Sequence, residues 1–380
     1  MNVPAERKTI VLVGAGHTHL HVVAMWEKCA LPNVELVLVS AFDQATYSGM
    51  LPGTLAGLYK PDEMTIGLRP LTNKCGVQLI VSAAVGLDPV RKVVQLEDGS
   101  EVSFDVVSVG IGSVPANAEF YENLPAGLSI KPMPTFLSRL QTRLAELSSK
   151  DRSLNVAIVG AGAAGFEISL CLEAFLRNEK LDAKLRLIDS HEQILSGYSP
   201  KTIKRATEVL KHRGIELLLN RKVVDSQETE NGLELNCSDG SNTPIDLAIC
   251  TTGAVPAPVF ENFDLPKDER GFLAVRPTLQ TTADFPVFAV GDSAGFLDQR
   301  VPKAGVYAVR EGPVLWENLQ RFLEGRSLEP FQSQTGFLSL LALGEGTALL
   351  EFHRFSAQGA WVWKLKNWID RRFMKRFQSD

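Results

Sequence analysis

The sequence predicts an α/β fold in which one doubly wound unit is built twice. A strand, glycine turn and helix start occur at Thr9–His21 (TIVLVGAGHTHLH) and again at Asn155–Glu167 (NVAIVGAGAAGFE). A second matched pair, Val107–Pro115 (VSVGIGSVP) and Ala248–Pro256 (AICTTGAVP), closes each half with a strand and G-x-x-P. Gly14 to Gly160 and Gly112 to Gly253 span nearly equal lengths, and self-similarity at a fixed period marks a duplicated domain.

In the first copy, Gly14 and Gly16 hold the first two positions of G-x-G-x-x-G, but His19 holds the third. The helix is therefore expected to pack less closely or to be displaced. The next strand, Val34–Val39, ends at Ser40, whose hydroxyl can still bond a ribose. Val77–Val81 and Lys92–Leu96 read as strands, with Asp98-Gly99 a hairpin-type turn. Pro134–Ser149 has helical periodicity, with Leu137, Leu140, Leu144 and Leu147 on one face.

The second copy is complete. Gly160 permits the tight turn, Gly162 lets backbone approach a pyrophosphate, and Gly165 lets helix pack close to strand. The helix start offers free N–H groups and partial positive charge to phosphates. Strand Leu185–Ile188 then ends in Asp189, which can accept hydrogen bonds from both ribose hydroxyls of NAD and would repel the extra phosphate of NADP. Helix Pro200–Arg213, strand Ile215–Leu219, strand Leu233–Cys237 and the turn near Asp239-Gly240 lead to Leu247–Cys250. Later, Phe285–Gly295 (FPVFAVGDSAG) and the helix-like Gly305–Leu323 complete the first unit, interrupted by residues of roughly 118–255. The fold class is thus two Rossmann-like, three-layer ββα dinucleotide-binding domains, the second inserted in the first.

Composition is that of an ordinary soluble globular protein, 45% apolar and 22% charged, and a net charge of −5 gives no hint of nucleic-acid binding. Apolar runs are broken by Gly or charge before about 18 residues, so no transmembrane helix is expected. The start, MNVPAERKTIVLVGAG, lacks a signal-peptide pattern. Cys29, Cys75, Cys171, Cys237 and Cys250 are too scattered for a C-x-x-C pair or a short-spaced zinc site, which suits a reducing cytoplasm. His17, His19 and His21 alternate where a helix begins, so their side chains diverge and no metal is expected.

The two glycine turns, the G-x-x-P closures and the late V-F-A-x-G-D together resemble the flavoproteins with two dinucleotide-binding domains. These include the pyridine nucleotide-disulfide reductases, type II NADH dehydrogenases and sulfide:quinone reductases. The resemblance covers about residues 8–325. YSGMLPGTLAG (Tyr47–Gly57) looks like the segment that runs beside the flavin in type II NADH dehydrogenases. With VGAGHTHLHVV and PKAGVYAVREGP, it is similar to the NADH dehydrogenase-like flavoproteins sometimes fused to selenide, water dikinase.

The resemblance implies an FAD-binding domain of residues 1–117 and 256–330 and an NADH-binding domain of residues 118–255. Gly14, Ala15 and Gly16 would face the FAD pyrophosphate beside His17, with Ser40 near the adenosine ribose. Tyr47 and Pro52 lie in the flavin-side segment, Gly112 and Gly253 in the two closures. Asp292 would bond the ribityl chain, and Lys303, Ala304 and Gly305 would sit at the pyrimidine edge. There a helix N-terminus and Lys303 would stabilise a reduced flavin's negative charge. Asp292 also reads as a helix N-cap and Lys303 as a solvated surface lysine. Gly160, Gly162, Gly165, Asp189 and Glu167 would hold NADH. Glu167 and Lys303 are the candidate catalytic residues, although Glu167 is also a first-turn glutamate favoured by the helix dipole.

No cysteine promptly follows the first glycine turn and none lies beyond Cys250, so thiol mechanisms are disfavoured and direct transfer from flavin to a quinone-like acceptor is expected. The glutamines that type II NADH dehydrogenases carry after the flavin helix are absent; Val306, Tyr307, Val309 and Arg310 stand there. Residues 331–380 read as a hairpin (Phe337–Leu343, Ala348–Phe352) and an amphipathic helix, Trp361–Phe377. Its apolar face would carry Trp361, Leu365, Trp368, Ile369, Phe373 and Phe377. Lys364, Lys366, Arg371, Arg372, Lys375 and Arg376 stand against Asp370 alone. Such a helix reads as an anchor on an anionic membrane surface, placing the protein on the cytoplasmic face. Packing on its own core or on a second subunit, as in a homodimer, is the other reading. The alternatives to an NADH dehydrogenase are an NADH-dependent redox sensor that alters partner binding, and an oxidoreductase of sulfur or selenium metabolism.

Overall fold

The computed structural model describes residues 7–148, 152–230, 232–334 and 336–378. Residues 1–6, Ser149 at the end of one expected helix, and residues 379–380 lie outside the described residues.

Two five-stranded parallel sheets repeat four strands in one order; the fifth, an edge strand, comes last along the chain in the first sheet and first in the second. The first runs Val287–Ala289, Val106–Val109, Lys8–Val13, Val34–Ser40, Gln78–Val81. The second runs Gly127–Ser129, Leu247–Cys250, Leu154–Val159, Ala183–Ile188, Glu216–Leu218. In each, the strand before the glycine turn is central. Its Val/Ile/Leu run is buried on both faces, as a parallel sheet covered by other layers requires. A three-stranded antiparallel meander accompanies each sheet, Ala84–Ser103 in one copy and Val223–Ile245 in the other. The duplication read from the glycine turns is therefore present in four strands of each sheet and in the meander, while the edge strands Val287–Ala289 and Gly127–Ser129 enter from opposite ends of their units. All strands of the second sheet fall in sequence between Val106–Val109 and Val287–Ala289 of the first.

The two chain crossings touch. Ser113–Pro115 pairs antiparallel with Ala254–Pro256, so the two G-x-x-P segments form one ribbon between the sheets. Helix Gly305–Leu323 has its expected bounds and packs on helix His17–Lys28, where a Cβ on Gly312 would stand 2.7 Å from His21 Cβ. Helix Met133–Leu147 buries Phe136, Leu140 and Leu144, with Leu137 and Leu147 packed at its margin.

The C-terminal unit differs from expectation in two ways. The hairpin gains a third strand, Phe355–Gly359, through a two-residue turn in which His353 has φ +53°. That turn carries no Gly or Asn to announce it. The helix, Ala360–Met374, does not bury the expected face: it buries Val362, Lys366, Asp370 and Met374, while Trp361 and Trp368 remain 53% and 57% exposed. Lys366 and Asp370 are tolerated in that interior row because they dock on polar partners in the Tyr47–Tyr59 segment.

Candidate functional site

Each glycine turn forms a cradle that a side chain would fill. Gly14 has φ +96°, and a Cβ there would lie 2.6 Å from Gly110 O. In the second copy Gly160 has φ +108°, and a Cβ on Gly165 would lie 1.7 Å from Gly160 O. Gly162 faces open space, which suits the approach of a pyrophosphate to its backbone.

His19 does not displace the first helix. Its fully buried ring fills the volume left by Gly110, where a Cβ would meet the imidazole at 2.7 Å. Nδ1–H donates to Gly14 O at 2.5 Å, and Nε2 accepts from Ser108 Oγ at 2.8 Å. A carbonyl can only accept, so Nδ1 carries a proton, and in the neutral ring that burial favours Nε2 is the acceptor. Burial lowers its pKa to about 4. In the second copy the sizes are exchanged: Gly165 replaces the histidine, and Thr251 Oγ1 donates to Gly160 O at 2.9 Å.

The first cavity, about 460 Å³, is lined by Gly14–His19, Ser40–Phe42, Gly110–Pro115, Lys131–Pro134, Val290–Asp292 and Gly305. Its fit to a flavin dinucleotide rests on the side-chain-free cradle and on Ser40 at the end of the adjacent strand. Ser40 Oγ also donates to Phe42 O at 2.8 Å. The second cavity, about 630 Å³, is lined by Val159–Ala164, Ile188–His191, Arg221–Val223, Thr251–Ala254 and Lys303. Asp189 closes its strand end, accepting from Ala161 N–H at 2.5 Å and from His191 N–H at 2.8 Å. Ser113, Lys131, Asp292 and Gly305 line both cavities, so the two spaces meet at one wall.

Gly14, Ala15, Gly16, His17, Ser40, Gly112, Asp292 and Gly305 thus fall together on the first cavity, and Gly160, Gly162, Asp189 and Gly253 on the second. Gly165 lies beneath the loop as a packing residue. Asp292 accepts from Ser113 Oγ at 2.7 Å, and Gly291 N–H before it donates to buried Glu311 Oε2 at 2.5 Å. Burial raises the Glu311 pKa to about 7. Lys303 reaches the second cavity, donates to Ala294 O and stands 3.9 Å from the Phe272 ring centre. Burial lowers its pKa to about 8, which a solvated surface lysine would not show.

Glu167, Tyr47, Pro52 and Ala304 line neither cavity. Glu167 Oε1 accepts from Ala342 N–H of the C-terminal sheet at 2.7 Å, and burial raises its pKa to about 7 against the field of Lys366. Pro52 is buried in the short helix Leu51–Leu55. Tyr47 stacks on Phe373 with centroids 4.4 Å apart and lies 5.5 Å from the His17 ring. Its hydroxyl and that of Tyr59 donate to Asp370 at 3.2 and 3.3 Å. Lys366 Nζ donates to Asp370 at 3.0 Å and to Gly49 O at 2.7 Å.

Lys131, Glu311 and the interior Lys366–Asp370 pair were not legible as site residues. Their spacing matches ordinary surface charge, and the segments that bury them are not marked by it.

Residues 8–312 match the model of the family described as pyridine nucleotide-disulphide oxidoreductase. The chain is 22% identical over 368 residues to a type II NADH:quinone oxidoreductase of Staphylococcus epidermidis, covering 91% of this chain and 90% of that one. It is 23% identical over 288 residues to an NADH dehydrogenase-like protein of Bacillus subtilis, covering 76% and 77%. The sulfide:quinone oxidoreductase of Aquifex aeolicus shares its fold, with a TM-score of 0.80 at 16% identity, covering 97% of this chain and 91% of that one. Two glycine cradles, two cavities meeting at one wall and this family match make the chain a member of the pyridine nucleotide-disulphide oxidoreductase family, an oxidoreductase that binds FAD and NAD(H).

Proposed function

We propose that the protein is an FAD-dependent NADH dehydrogenase that passes electrons to a quinone-like acceptor without a redox cysteine. The observation that supports this is the wall common to both cavities, across which a flavin in one and a nicotinamide in the other would meet. In this reading residues 1–117 and 256–330 hold FAD, residues 118–255 hold NADH, and residues 331–380 form the acceptor-side unit. When bound, FAD supplies the hydride acceptor and the store of two electrons.

The chain's own residues orient and insulate that exchange. Backbone N–H groups of the two glycine loops would meet the pyrophosphates, Asp189 would receive the adenosine ribose of NADH, and Asp292 would bond the ribityl chain. The first turn of helix Gly305–Leu323, with Lys303, presents positive charge at the junction. The absence of a redox cysteine is supported by placement: Cys75, Cys171, Cys237 and Cys250 are buried, Cys29 is exposed, and none lines either cavity. The acceptor side would be the C-terminal unit, whose Phe373 stacks on Tyr47 beside His17. Glu167, titrating near neutrality beneath that unit, holds a proton on the acceptor side.

Attachment to an anionic membrane surface fits the same unit. Trp361, Trp368, Phe352 and Phe355 are exposed, and Arg372 lies over the Trp368 ring. No helix among the described residues is long and apolar enough to cross a membrane. The decisive experiment is steady-state NADH oxidation by purified flavoprotein against quinones, disulfides and sulfide-derived acceptors. Turnover with quinones is expected; turnover confined to a disulfide acceptor would overturn the proposal.

A further inference from the structure

Lys131 joins the two units at the wall they share. It lies between strand Gly127–Ser129 and helix Met133–Leu147, and so belongs to the unit of the second sheet. Its Nζ reaches across to the ribbon and the first unit. It donates to Ser113 O at 2.7 Å and to Ser113 Oγ at 2.9 Å, and stands 3.6 Å from Asp292 Oδ2. Ser113 Oγ donates to the same Asp292 oxygen, so three groups from three segments close one ring.

Among the described residues, Lys131 and Asp292 are the only charged side chains on both cavity walls. The lysine is largely withdrawn from water, and burial lowers its pKa while Asp292 opposes the fall. A shape-matched apolar side chain would avoid that desolvation cost, so a cation held here calls for an electrostatic reason. Hydride transfer supplies one. It moves two electrons and a proton from the nicotinamide to the flavin, leaving one added negative charge on the flavin side and one positive charge on the nicotinamide.

We propose that Lys131 is a positioning residue for the flavin site, which holds Asp292 and Ser113 from the neighbouring unit and favours the reduced over the oxidised cofactor by its fixed charge. The inference rests on the assignment of FAD to the first cavity. It assigns to the nicotinamide-side unit a direct hold on the flavin side, so each unit contributes to the other's cofactor geometry.

The test uses the full chain as wild type, Lys131→Met and Lys131→Arg. Affinity for oxidised FAD is read by fluorescence quenching on deflavinated protein, and the flavin midpoint potential by equilibration with reference dyes. Lys131→Met is expected to bind oxidised FAD several-fold more weakly and reduced FAD about tenfold more weakly still. That further factor lowers the midpoint by about 30 mV for a two-electron couple. Lys131→Arg keeps the charge and is expected to restore the potential. A Lys131→Met midpoint equal to wild type, or a Lys131→Arg protein shifted as far as Lys131→Met, would overturn the proposal. Wild-type protein that takes up no FAD would instead refute the cavity assignment beneath it.

Discussion

The His19 imidazole donates its Nδ1 proton to the Gly14 carbonyl, and this contact explains how a histidine stands where the second glycine turn has Gly165. The two copies satisfy the first glycine's carbonyl from opposite sides. One uses the helix residue, the other Thr251 of the neighbouring strand end. His19→Ala removes the donor and leaves a void, and is expected to cost about 2–4 kcal/mol of stability. Gly110→Thr alone should clash with the imidazole, whereas His19→Gly with Gly110→Thr rebuilds the arrangement of the second copy. The double variant is expected to melt above the sum of the single losses, checked by calorimetry on the apoprotein. Since the folded pKa of His19 is depressed, its contribution is complete above about pH 6.5 and fades as pH falls toward 4.

Glu311 behaves with the opposite sign. Its folded pKa is raised to about 7 from 4.5, so stability is full below the unfolded value and is lost as pH rises through 7. Above that, ionisation of the buried carboxyl costs roughly 3 kcal/mol. Glu311→Gln can still accept the Gly291 N–H bond, and is expected to raise Tm at pH 8 while giving no gain at pH 4. Equal effects at both pH values in a thermal melt would exclude the buried charge as the cause.

Asp189 has two duties, bracing the glycine loop through Ala161 and presenting a carboxylate at the second cavity. Asp189→Ala is expected to slow flavin bleaching by NADH about 10- to 100-fold, from loss of charged hydrogen bonds, with less effect on NADPH. Stopped-flow comparison of the two donors checks this. Faster bleaching of the wild type by NADPH would remove the specificity role.

The interior Lys366–Asp370 pair ties the last helix to Gly49, Tyr47 and Tyr59. Lys366→Met strands Asp370 and is expected to cost about 3–5 kcal/mol, because one buried charge loses its counter-ion. The loss should appear as early proteolytic release of the C-terminal unit. A melt and a digestion pattern like wild type would mean the pair is not holding the helix.

Since that network is interior, membrane attachment is better tested on the exposed face than by deleting the helix. Trp361→Ala with Trp368→Ala should release the protein from phosphatidylserine-containing liposomes while leaving flavin reduction by NADH intact. Retained sedimentation with the liposomes would rule out the tryptophans as the anchor.

The repeated four-strand core of the two parallel sheets, the two cradles and the Gly305–Leu323 helix are all legible from residue order. These depend on local constraints, since a buried β-branched run, a glycine at positive φ and a helical period need no distant partner to be recognised. Tertiary structure alone decided that His19 is exchanged in size with Gly110, that Lys131 reaches Asp292, and that Lys366 and Asp370 face inward. A charged or polar side chain takes its role from the groups that replace its water, and for Lys366 and Asp370 several of those groups lie about 300 residues away along the chain.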